Sequence, residues 1–390
     1  MILAGKVLYL ILSKNFWMIC QVEKKSFEEI RPTHILPQTP FWGRVKNKQG
    51  FSTRGFEITV SKELLNNSAD SLLKTSDDIL VLIKYIDANH CFAYVPYGPK
   101  LEPEFENQGV FLEQLSETIR PQLPANCMFI RYDLIWQNQW AVEDEYFDKD
   151  GNWLGPPQNQ VQEFRVNYKT ANWNLKKSPG DILPKNTFFL DLKQNEKDLL
   201  YNMRYNTRYN IRQAIKKGVS IKEYTADQIG DWYKLYYETA LRHHMPLQDE
   251  NYFASILRNQ DNSKKGVTIK MLMADYEGEF LASMFLVLSS KRGTYLYGAS
   301  TQRHQELRAS YALQWESIKT AKKWGCTEYD MFGSAPNLNR SHPLHGVHIY
   351  KKGFGGHLYH RMGCWDYPYK PEEYEFFRLQ EINIVNAQRS

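Results

Sequence analysis

The chain has 390 residues, of which 42% are hydrophobic and 24% are charged, and its formal net charge is +5. This composition is typical of a globular protein and excludes the collagen-like, disordered and multi-span membrane classes. At this length about two to three domains are expected. An anionic partner would have to meet a local basic patch rather than the whole surface, because the net charge is small.

The five cysteines form no CxxC pair and no cluster with histidines at metal-ligand spacing. The sequence therefore predicts neither a zinc site nor a disulfide framework, and it indicates a reducing compartment such as the cytoplasm. We predict no cofactor and no metal.

The chain begins with the apolar stretch MILAGKVLYLILSKNFWMIC, which is interrupted by Ser13, Lys14 and Asn15. A membrane-spanning helix needs about 20 consecutive apolar residues, so this stretch is too short and too broken to cross a bilayer. We expect a buried first strand with a helical turn, or an extension upstream of a start at Met18. No later stretch is long enough either, so any membrane contact is expected to be peripheral.

Two regions of the chain predict the same order of elements, in which strands are followed by a helix and another strand. In the first region, ILVLIKYI and CFAYVPYG precede the helical GVFLEQLSETIRPQL and the strand CMFIRYDLIW. In the second, VTIKMLMADYEG, EFLASMFLVLSS and GTYLYGAS precede RASYALQWESIKTAKKWG and TEYDMFG. Short apolar strands combined with a helix indicate a mixed α/β (α+β) fold, and the repetition indicates two related domains.

The first domain is expected at residues 1–175 and the second at 187–356, with 357–390 packing back on the first. Residues 137–186 are rich in Asn, Gln, Gly and Pro and have no sustained period. They are expected to form a long connecting loop that contains the domain boundary.

A basic helix is predicted from Asn195, which can cap its first turn, to Gly218, which can end it in the left-handed conformation. Four cations recur in it at steps of four with no acidic residue among them, namely Arg204, Arg208, Arg212 and Lys216. Like charges at this spacing destabilise a helix by roughly 0.2–0.5 kcal/mol per pair, so an anionic neighbour is expected. Carboxylates from elsewhere in the chain and the phosphates of a ligand are both open alternatives.

Several common catalytic patterns are missing from the sequence, among them GxGxxG after a strand, GxxxxGK[ST], HExxH and GxSxG. The repeated order of elements resembles the GNAT acyltransferase domain, in which a loop between a strand and a helix holds a pyrophosphate with backbone N–H groups. The corresponding loop, QRHQELRAS, contains no glycine. The resemblance therefore implies two GNAT-like acyltransferase domains in tandem, with an acyl carrier other than acetyl-CoA.

The segment YDMFGSAPNLNRSHPLHGVHIYKKGFGG begins as a strand, opens into a loop and ends with a lysine pair followed by three glycines. Glycines at such a turn would let the backbone approach a ligand beside an ammonium group. A basic surface turn is the alternative, and the spacing by itself does not separate the two. The histidines of this part of the chain fit no ligand set and are interpreted as structural.

Four stretches, taken in order, resemble one known family. They are QTPFWGRVK, FFLDLKQNEKDLLYNMRYNTRYNIRQAIKKGV, TYLYGAS with YALQWESIKTAKKWG, and YDMFG with HGVHIYKKGFGG, and they span residues 38–356. The first is similar to the QSxxWGxxK motif of the FemABX family, and the last is similar to its FKxxFG signature. Members of this family transfer an amino acid from aminoacyl-tRNA to the stem peptide of a peptidoglycan precursor.

The resemblance also implies roles for single residues. Lys46 is similar to the family lysine that meets the acceptor's phosphate, and Lys351 is similar to the catalytic lysine, which would stabilise the oxyanion of the transition state. Tyr252 and Tyr297 are similar to the tyrosines that line the substrate, and Tyr350 stands where the family more often has phenylalanine.

The function that the resemblance implies is that of an aminoacyltransferase with aminoacyl-tRNA as co-substrate and no cofactor. Its acceptor would be lipid II or UDP-MurNAc-pentapeptide. Gln248 stands where we expect an arginine in members that use the UDP-linked acceptor, so the choice stays open. The basic helix would receive the tRNA acceptor stem. We expect the protein in the cytoplasm, with peripheral contact to the inner face of the membrane.

Two other functions are also consistent with the residues. One is that of a GNAT-like N-acyltransferase with an acyl-CoA donor, although the glycine-free loop argues against it. The other is that of a non-catalytic relative that binds tRNA or a glycan. The sequence leaves open which amino acid is transferred and how many, which group is the general base, and the oligomeric state.

Overall fold

The structure is a computed structural model, and it describes residues 20–66, 73–243, 245–258 and 266–387. The strand and turn predicted for the first residues of the chain lie outside the described residues, apart from Cys20. The described chain divides into two compact units. The first unit contains the chain up to Arg31, Trp42–Lys185 and the residues from Arg361 onward, and the second contains Pro32–Phe41 and Asn186–His360.

The strands, in chain order, are β1 (Cys20–Lys25), β2 (Ser52–Ser61), β3 (Lys74–Tyr85), β4 (Cys91–Val95), β5 (Cys127–Gln137), β6 (Lys176–Lys177), β7 (Asn186–Asp191), β8 (Ser220–Tyr224), β9 (Val267–Tyr276), β10 (Glu279–Ser289), β11 (Arg292–Ser300), β12 (Glu328–Gly333) and β13 (His357–Pro368). The α-helices are α1 (Pro40–Lys48), α2 (Lys62–Leu65), α3 (Gln108–Ile119), α4 (Asn159–Asn167), α5 (Glu196–Asn202), α6 (Tyr205–Lys216), α7 (Ile229–Arg242), α8 (Glu250–Arg258), α9 (Ala309–Trp324), α10 (His345–Lys352) and α11 (Pro371–Ala387). No helix of the described chain is both long enough and apolar enough to cross a membrane.

The sheet of the first unit has the strand order β1–β2–β3–β4–β5, followed by residues Arg361–Pro368 of β13. Its strands pair antiparallel except β4 with β5, which are parallel and are joined through α3. A parallel pair requires such a crossover, usually a helix. Residues 137–186 were predicted as an irregular loop, but they contain α4 and β6 and end in the first strand of the second unit.

The sheet of the second unit has the strand order β8–β9–β10–β11–β12–β7, followed by residues His357–His360 of β13. Again one pair is parallel, β11 with β12, and α9 joins the two strands. The predicted fold class, mixed α/β with the same order of elements in both halves of the chain, is confirmed.

A buried hydrogen bond recurs at the same place in both units. In the first, the Tyr132 hydroxyl on β5 lies 2.9 Å from the Ser116 hydroxyl on α3. In the second, the Tyr329 hydroxyl on β12 lies 2.7 Å from the Ser317 hydroxyl on α9. Each tyrosine is followed by a buried aspartate. The two units therefore fasten the crossover helix to the second parallel strand with the same pair of side chains.

The basic helix was predicted as one element, but the chain breaks it into α5 and α6 at Met203, whose backbone is extended. Asn195 caps α5 as expected, since its side chain accepts the Asp198 N–H at 3.0 Å. Arg208 holds the break in place, because its Nη1 donates to the carbonyl oxygens at the end of α5, including that of Tyr201 at 2.9 Å. A local periodicity argument missed the break because the side chain that stabilises it comes from the next helix.

The glycines after the lysine pair have a structural explanation. Gly355 has φ +85°, and a Cβ there would lie 2.5 Å from the Asn202 carbonyl oxygen. A Cβ at Gly356 would lie 2.6 Å from the Phe189 carbonyl oxygen. These glycines let the turn pack against the chain's own backbone, which explains the absence of a side chain at both positions.

We expect Gly355→Ala to lower the urea midpoint of unfolding, measured by tryptophan fluorescence. The left-handed conformation alone costs an L-residue roughly 1–2 kcal/mol, and the overlap with the Asn202 carbonyl adds to it. Gly346→Ala in α10 is the matched control, because a Cβ there meets nothing within 4 Å. Its midpoint should equal or exceed the wild-type value, and an unchanged midpoint in Gly355→Ala would contradict this account.

Candidate active site

Lys351 lies on α10 and is almost fully enclosed, with 5% of its surface exposed. Its Nζ donates hydrogen bonds to two successive carbonyl oxygens, those of Phe332 at 3.0 Å and Gly333 at 2.6 Å. The ammonium group also lies 5.3 Å from the centre of the Tyr295 ring. The lysine is therefore a held, inward-facing cation rather than part of a basic surface turn.

The ammonium group lies where the two parallel strands separate. Pairing of β11 with β12 ends at Thr294 and Asp330, although β11 continues to Ser300. The groups around Nζ come from the residues just beyond this point, Tyr295 on one strand and Phe332 on the other. Backbone groups freed by such a separation are available to a side chain or a ligand, and here the lysine uses them.

Asp330 shapes the end of β12. Its carboxylate accepts the Phe332 N–H at 2.8 Å and the Thr187 hydroxyl. Phe332 has φ +58°, a left-handed conformation that is uncommon for a bulky residue. This turn brings the carbonyl oxygens of Phe332 and Gly333 to the same ammonium group. Asp330 thus positions the acceptors that hold Lys351.

Burial lowers the pKa of Lys351 to about 7, and the negative charge of Asp330 acts in the opposite direction. An ordinary lysine has a pKa near 10.4 and is always protonated at neutral pH. Near pH 7 this side chain is instead divided between ammonium and amine. It can donate hydrogen bonds to an anionic oxygen or exchange a proton in the physiological range.

The structure brings Tyr252 and Tyr297 together, with 2.8 Å between their hydroxyl oxygens. Tyr297 also packs against Phe253 of α8 and Phe285 of β10, at ring distances of 5.2 and 6.1 Å. Burial raises the pKa of both hydroxyls above its usual range, so they stay protonated and act as hydrogen-bond donors or acceptors.

A bulge separates this pair from the neighbours of Lys351. Tyr297 pairs across the sheet with Phe285 and Tyr295 with Leu286, so Leu296 between them is left over. One extra residue reverses the alternation of side chains along a strand. Tyr295 accordingly packs on the core beneath α9, whereas Tyr297 packs under α7 and α8. The predicted site tyrosines therefore lie on the sheet face opposite to Tyr295.

Tyr350 anchors α10 to α9. Its hydroxyl donates to the Ser310 carbonyl oxygen at 2.9 Å, and its ring lies 5.1 Å from that of Tyr311. Burial raises the pKa of this hydroxyl well above its usual range. A phenylalanine here would keep the ring contact and lose the hydrogen bond to the first turn of α9.

Lys46 lies on α1, in the first unit. Its Nζ donates to the Gln49 side chain at 2.7 Å and lies 5.0 Å from the Trp42 ring and 5.6 Å from the Phe51 ring. Burial, assisted by the charge of Lys84, lowers the pKa of Lys46 to about 8. Within the part of the chain that the structure describes, no carboxylate pairs with it.

Three of the four predicted stripe cations are exposed, and the described residues give them no acidic partner; they are Arg204 at the N-cap of α6, and Arg212 and Lys216 on α6. The fourth, Arg208, is used to hold the α5–α6 break. Sequence reasoning missed three tyrosines that share this surface, Tyr201, Tyr205 and Tyr209, which are 81%, 72% and 51% exposed. The spacing of four residues between these tyrosines is the feature of the sequence that could have revealed them. We call these three cations and three tyrosines the α5–α6 surface.

We expect Asp330→Asn to lower the pKa of Lys351 below 7, because the substitution removes the negative charge that favours the ammonium form. The measurement is the titration of the lysine 13Cε and 15Nζ NMR signals, assigned by their loss in Lys351→Met. Asp191→Asn, at an exposed carboxylate on the end of β7, should leave the titration unchanged. A pKa that rises or stays constant in Asp330→Asn would contradict the arrangement.

Comparison with known proteins assigns the chain to a family. A model of the FemAB family matches residues 19–271 and 258–381. The lipid II:glycine glycyltransferase of Staphylococcus saprophyticus is 28% identical over 111 residues, which are 28% of this chain and 27% of that protein. The enzyme of the same name from Staphylococcus epidermidis is 26% identical over 126 residues, 32% of this chain and 30% of that protein.

These alignments span less than a third of either relative. The crystal structure of FemX is similar over much more of the chain, with a TM-score of 0.68 at 15% identity, covering 91% of this chain and all of FemX. At that identity the likeness concerns the fold. Because the family model matches residues in both compact units, nearly from end to end, this chain belongs to the FemAB family.

Proposed function

We propose that this protein transfers an amino acid from aminoacyl-tRNA to the stem peptide of a peptidoglycan precursor. The observation that carries the proposal is the enclosed Lys351 ammonium group, held by two carbonyl oxygens where the parallel strands separate. Family membership supports it, as do the relatives named for glycine transfer to lipid II. The donor, the acceptor and the role of the lysine are our inference.

The chemistry needs little more than positioning and a cation. The ester of aminoacyl-tRNA is already activated, so the acceptor amine attacks its carbonyl carbon directly. A C–N bond forms, the C–O bond breaks, the amine loses a proton and the ribose oxygen of the tRNA gains one. Positioning the two substrates contributes several kcal/mol to such a reaction. We assign the Lys351 ammonium group to the oxyanion that develops on the carbonyl oxygen.

In this mechanism, the third N–H of the Lys351 ammonium group donates to the oxyanion, while the other two stay on the carbonyl oxygens of Phe332 and Gly333. Phe332 and Gly333 would hold the ammonium group in place before the reaction, so that little reorganisation accompanies the step. Removal of one such donor typically costs a factor of about 10² to 10³ in rate. Donation requires the protonated lysine, and the charge of Asp330 favours that form.

The decisive assay incubates the protein with a mixed pool of charged tRNA and both acceptors, lipid II and UDP-MurNAc-pentapeptide, and reads the product mass. We expect Lys351→Ala to lower kcat by about 10² to 10³ with KM nearly constant, because the interaction belongs to the transition state. The neighbouring lysine supplies the control, since Lys352→Ala should stay within a few-fold of wild type.

Three outcomes of this assay would count against the proposal. A product that forms only when acyl-CoA replaces the charged tRNA in the assay would identify a GNAT-like N-acyltransferase. Binding of tRNA or acceptor without any product would identify a non-catalytic relative. Equal loss of activity in Lys351→Ala and Lys352→Ala would show that Lys351 has no specific role in stabilising the oxyanion.

The α5–α6 surface is our candidate for tRNA contact, because it combines cations with tyrosine rings on which bases can stack. The double variant Arg204→Glu/Arg212→Glu should weaken binding of an RNA acceptor minihelix more than tenfold and reduce the salt dependence of that binding. Fluorescence anisotropy at several salt concentrations measures both. The control is Lys222→Glu on β8, which should bind like wild type.

Arg208 should behave differently from its neighbours on the helix. Since it holds the α5–α6 break, Arg208→Ala is expected to lower thermal stability, whereas the double variant keeps it. If Arg204→Glu/Arg212→Glu binds RNA with the affinity of wild type, the α5–α6 surface does not contact tRNA and its role is structural.

We also propose that the protein works in the cytoplasm and meets a lipid-linked acceptor at the inner face of the membrane. The names of the relatives support this location, since lipid II is their acceptor.

A further inference from the structure

The helix that carries Lys351 buries a second titratable side chain. His348 lies three residues before Lys351 on α10, a spacing at which the side chains of a helix are neighbours. It is 1% exposed, and its ring packs edge-on against the Phe188 ring on β7, with 5.1 Å between the ring centres. The mechanism described above does not use this histidine.

His348 and Lys351 bind successive residues of one turn. Lys351 donates to the last two carbonyl oxygens of β12. The next two residues, Ser334 and Ala335, meet the histidine, whose Nδ1 lies 2.9 Å from the Ala335 carbonyl oxygen and 3.3 Å from the Ser334 hydroxyl. One face of α10 therefore holds four consecutive residues, and it brings both side chains to the place where the parallel strands separate.

The contact with Ala335 decides which nitrogen of neutral His348 carries the proton. A carbonyl oxygen can only accept, so Nδ1 is the donor and Nε2 is left with the lone pair. A general base needs this arrangement, in which one nitrogen is fixed by an acceptor and the other is unprotonated.

Three basic groups act on His348 electrostatically. Lys352 and His345 belong to its own helix, and Arg204 stands at the start of α6, whereas β7 contributes the uncharged Phe188 ring. Burial lowers the pKa of His348 below the ordinary histidine value of about 6.5, and the three basic groups act in the same direction. Its hydrogen bond to the backbone acts against them. At neutral pH the side chain is therefore a neutral imidazole.

The other titratable groups described around the lysine are less suited to accept a proton. Asp330 already accepts hydrogen bonds from a backbone N–H and from the Thr187 hydroxyl. Burial raises the pKa of the Tyr295 hydroxyl to about 12, so it stays protonated. Lys351 must keep its proton to meet the oxyanion. Neutral His348 is the group that combines a lone pair with a place beside the lysine.

The start of α6 is fastened beside this histidine. The Arg204 N–H donates to the Gly353 carbonyl oxygen, just after α10, at 2.9 Å. Arg204 is also the first cation of the α5–α6 surface, our candidate for tRNA contact. A tRNA end that crosses this surface toward Lys351 would therefore approach the lysine past His348.

We propose that His348 is the proton-transfer residue of the reaction, an inference that rests on the function proposed above. Its Nε2 takes the proton that the acceptor amine loses as the C–N bond forms. The imidazolium then gives this proton to the ribose oxygen of the tRNA as the C–O bond breaks. The histidine is neutral again after each turnover, so the step requires no further reactant. Lys351 keeps its own proton throughout.

The test is His348→Asn in the full-length protein. The asparagine amide can donate to the Ala335 carbonyl oxygen in place of Nδ1, but it cannot take up a proton at neutral pH. We expect kcat to fall about 10²-fold, since general bases contribute roughly 10² to 10⁴ in rate, while the thermal midpoint stays close to that of wild type. The rate is measured with the charged tRNA and the acceptor that the mass assay identifies. His345→Asn, on the same helix, is the matched control and should stay within a few-fold of wild type.

The pH profile of kcat separates proton transfer from a structural role. A base acts only when it is unprotonated, so activity should fall as the pH drops below the lowered pKa of His348. An ammonium donor acts only when it is protonated, so activity should also fall as the pH rises through about 7, the pKa of Lys351. Wild type should show a narrow bell. His348→Asn should lose the acid limb and keep the basic one.

Two results would overturn the role of His348. If His348→Asn transfers at the wild-type rate and only His348→Ala is slow, the histidine merely holds the turn. If the acid limb survives in His348→Asn, another group is the base.

NMR keeps this inference distinguishable from the proposed function. The 15N shifts of His348, assigned by their loss in His348→Asn, should show a protonated Nδ1 and an unprotonated Nε2 at neutral pH; the opposite tautomer would contradict the role. A wild type that forms no product with any charged tRNA would overturn the proposed function itself. An active wild type with an equally active His348→Asn would overturn only the role of the histidine.

Discussion

The second unit depends on a buried ammonium group and the backbone that is shaped to hold it. Burying an isolated charge is costly, and the cost is met only where hydrogen bonds or opposite charge surround it. Lys351 has two carbonyl oxygens and a nearby carboxylate. Those oxygens converge because Asp330 holds Phe332 in a left-handed conformation at the end of β12.

The two units use a common framework for different local chemistry. Both fasten a crossover helix to the second strand of a parallel pair with a buried Tyr–Ser hydrogen bond, and both place an aspartate next. Asp133 accepts hydrogen bonds from the Tyr94 hydroxyl and the Leu183 N–H, each at 2.9 Å, and burial raises its pKa to about 6. Asp330 shapes a turn toward an ammonium group instead. The two units therefore share the framework of helix, strand and aspartate, but the groups that face the aspartate differ between them.

Local rules failed where a different secondary-structure element supplies the deciding contact. The stripe of four cations was read correctly as a period, yet Arg208 turned out to cap α5 from the following helix. The glycines after the lysine pair left two alternatives open, a ligand site and a surface turn, and Gly355 and Gly356 face the backbone of the α5–α6 junction and of β7. The pattern of residue types does not show which backbone segment lies next to these residues.

The sequence by itself determined the mixed α/β class, the repeated order of elements, the cap at Asn195 and the family, because hydrophobic periodicity, capping chemistry and motif spacing are local properties of the chain. Only the tertiary structure decided the environment of Lys351 and the sheet faces of Tyr295 and Tyr297. These depend on the separation of two parallel strands and on a one-residue bulge. Each is a relation between neighbouring strands, which the spacing of residues along one strand does not encode.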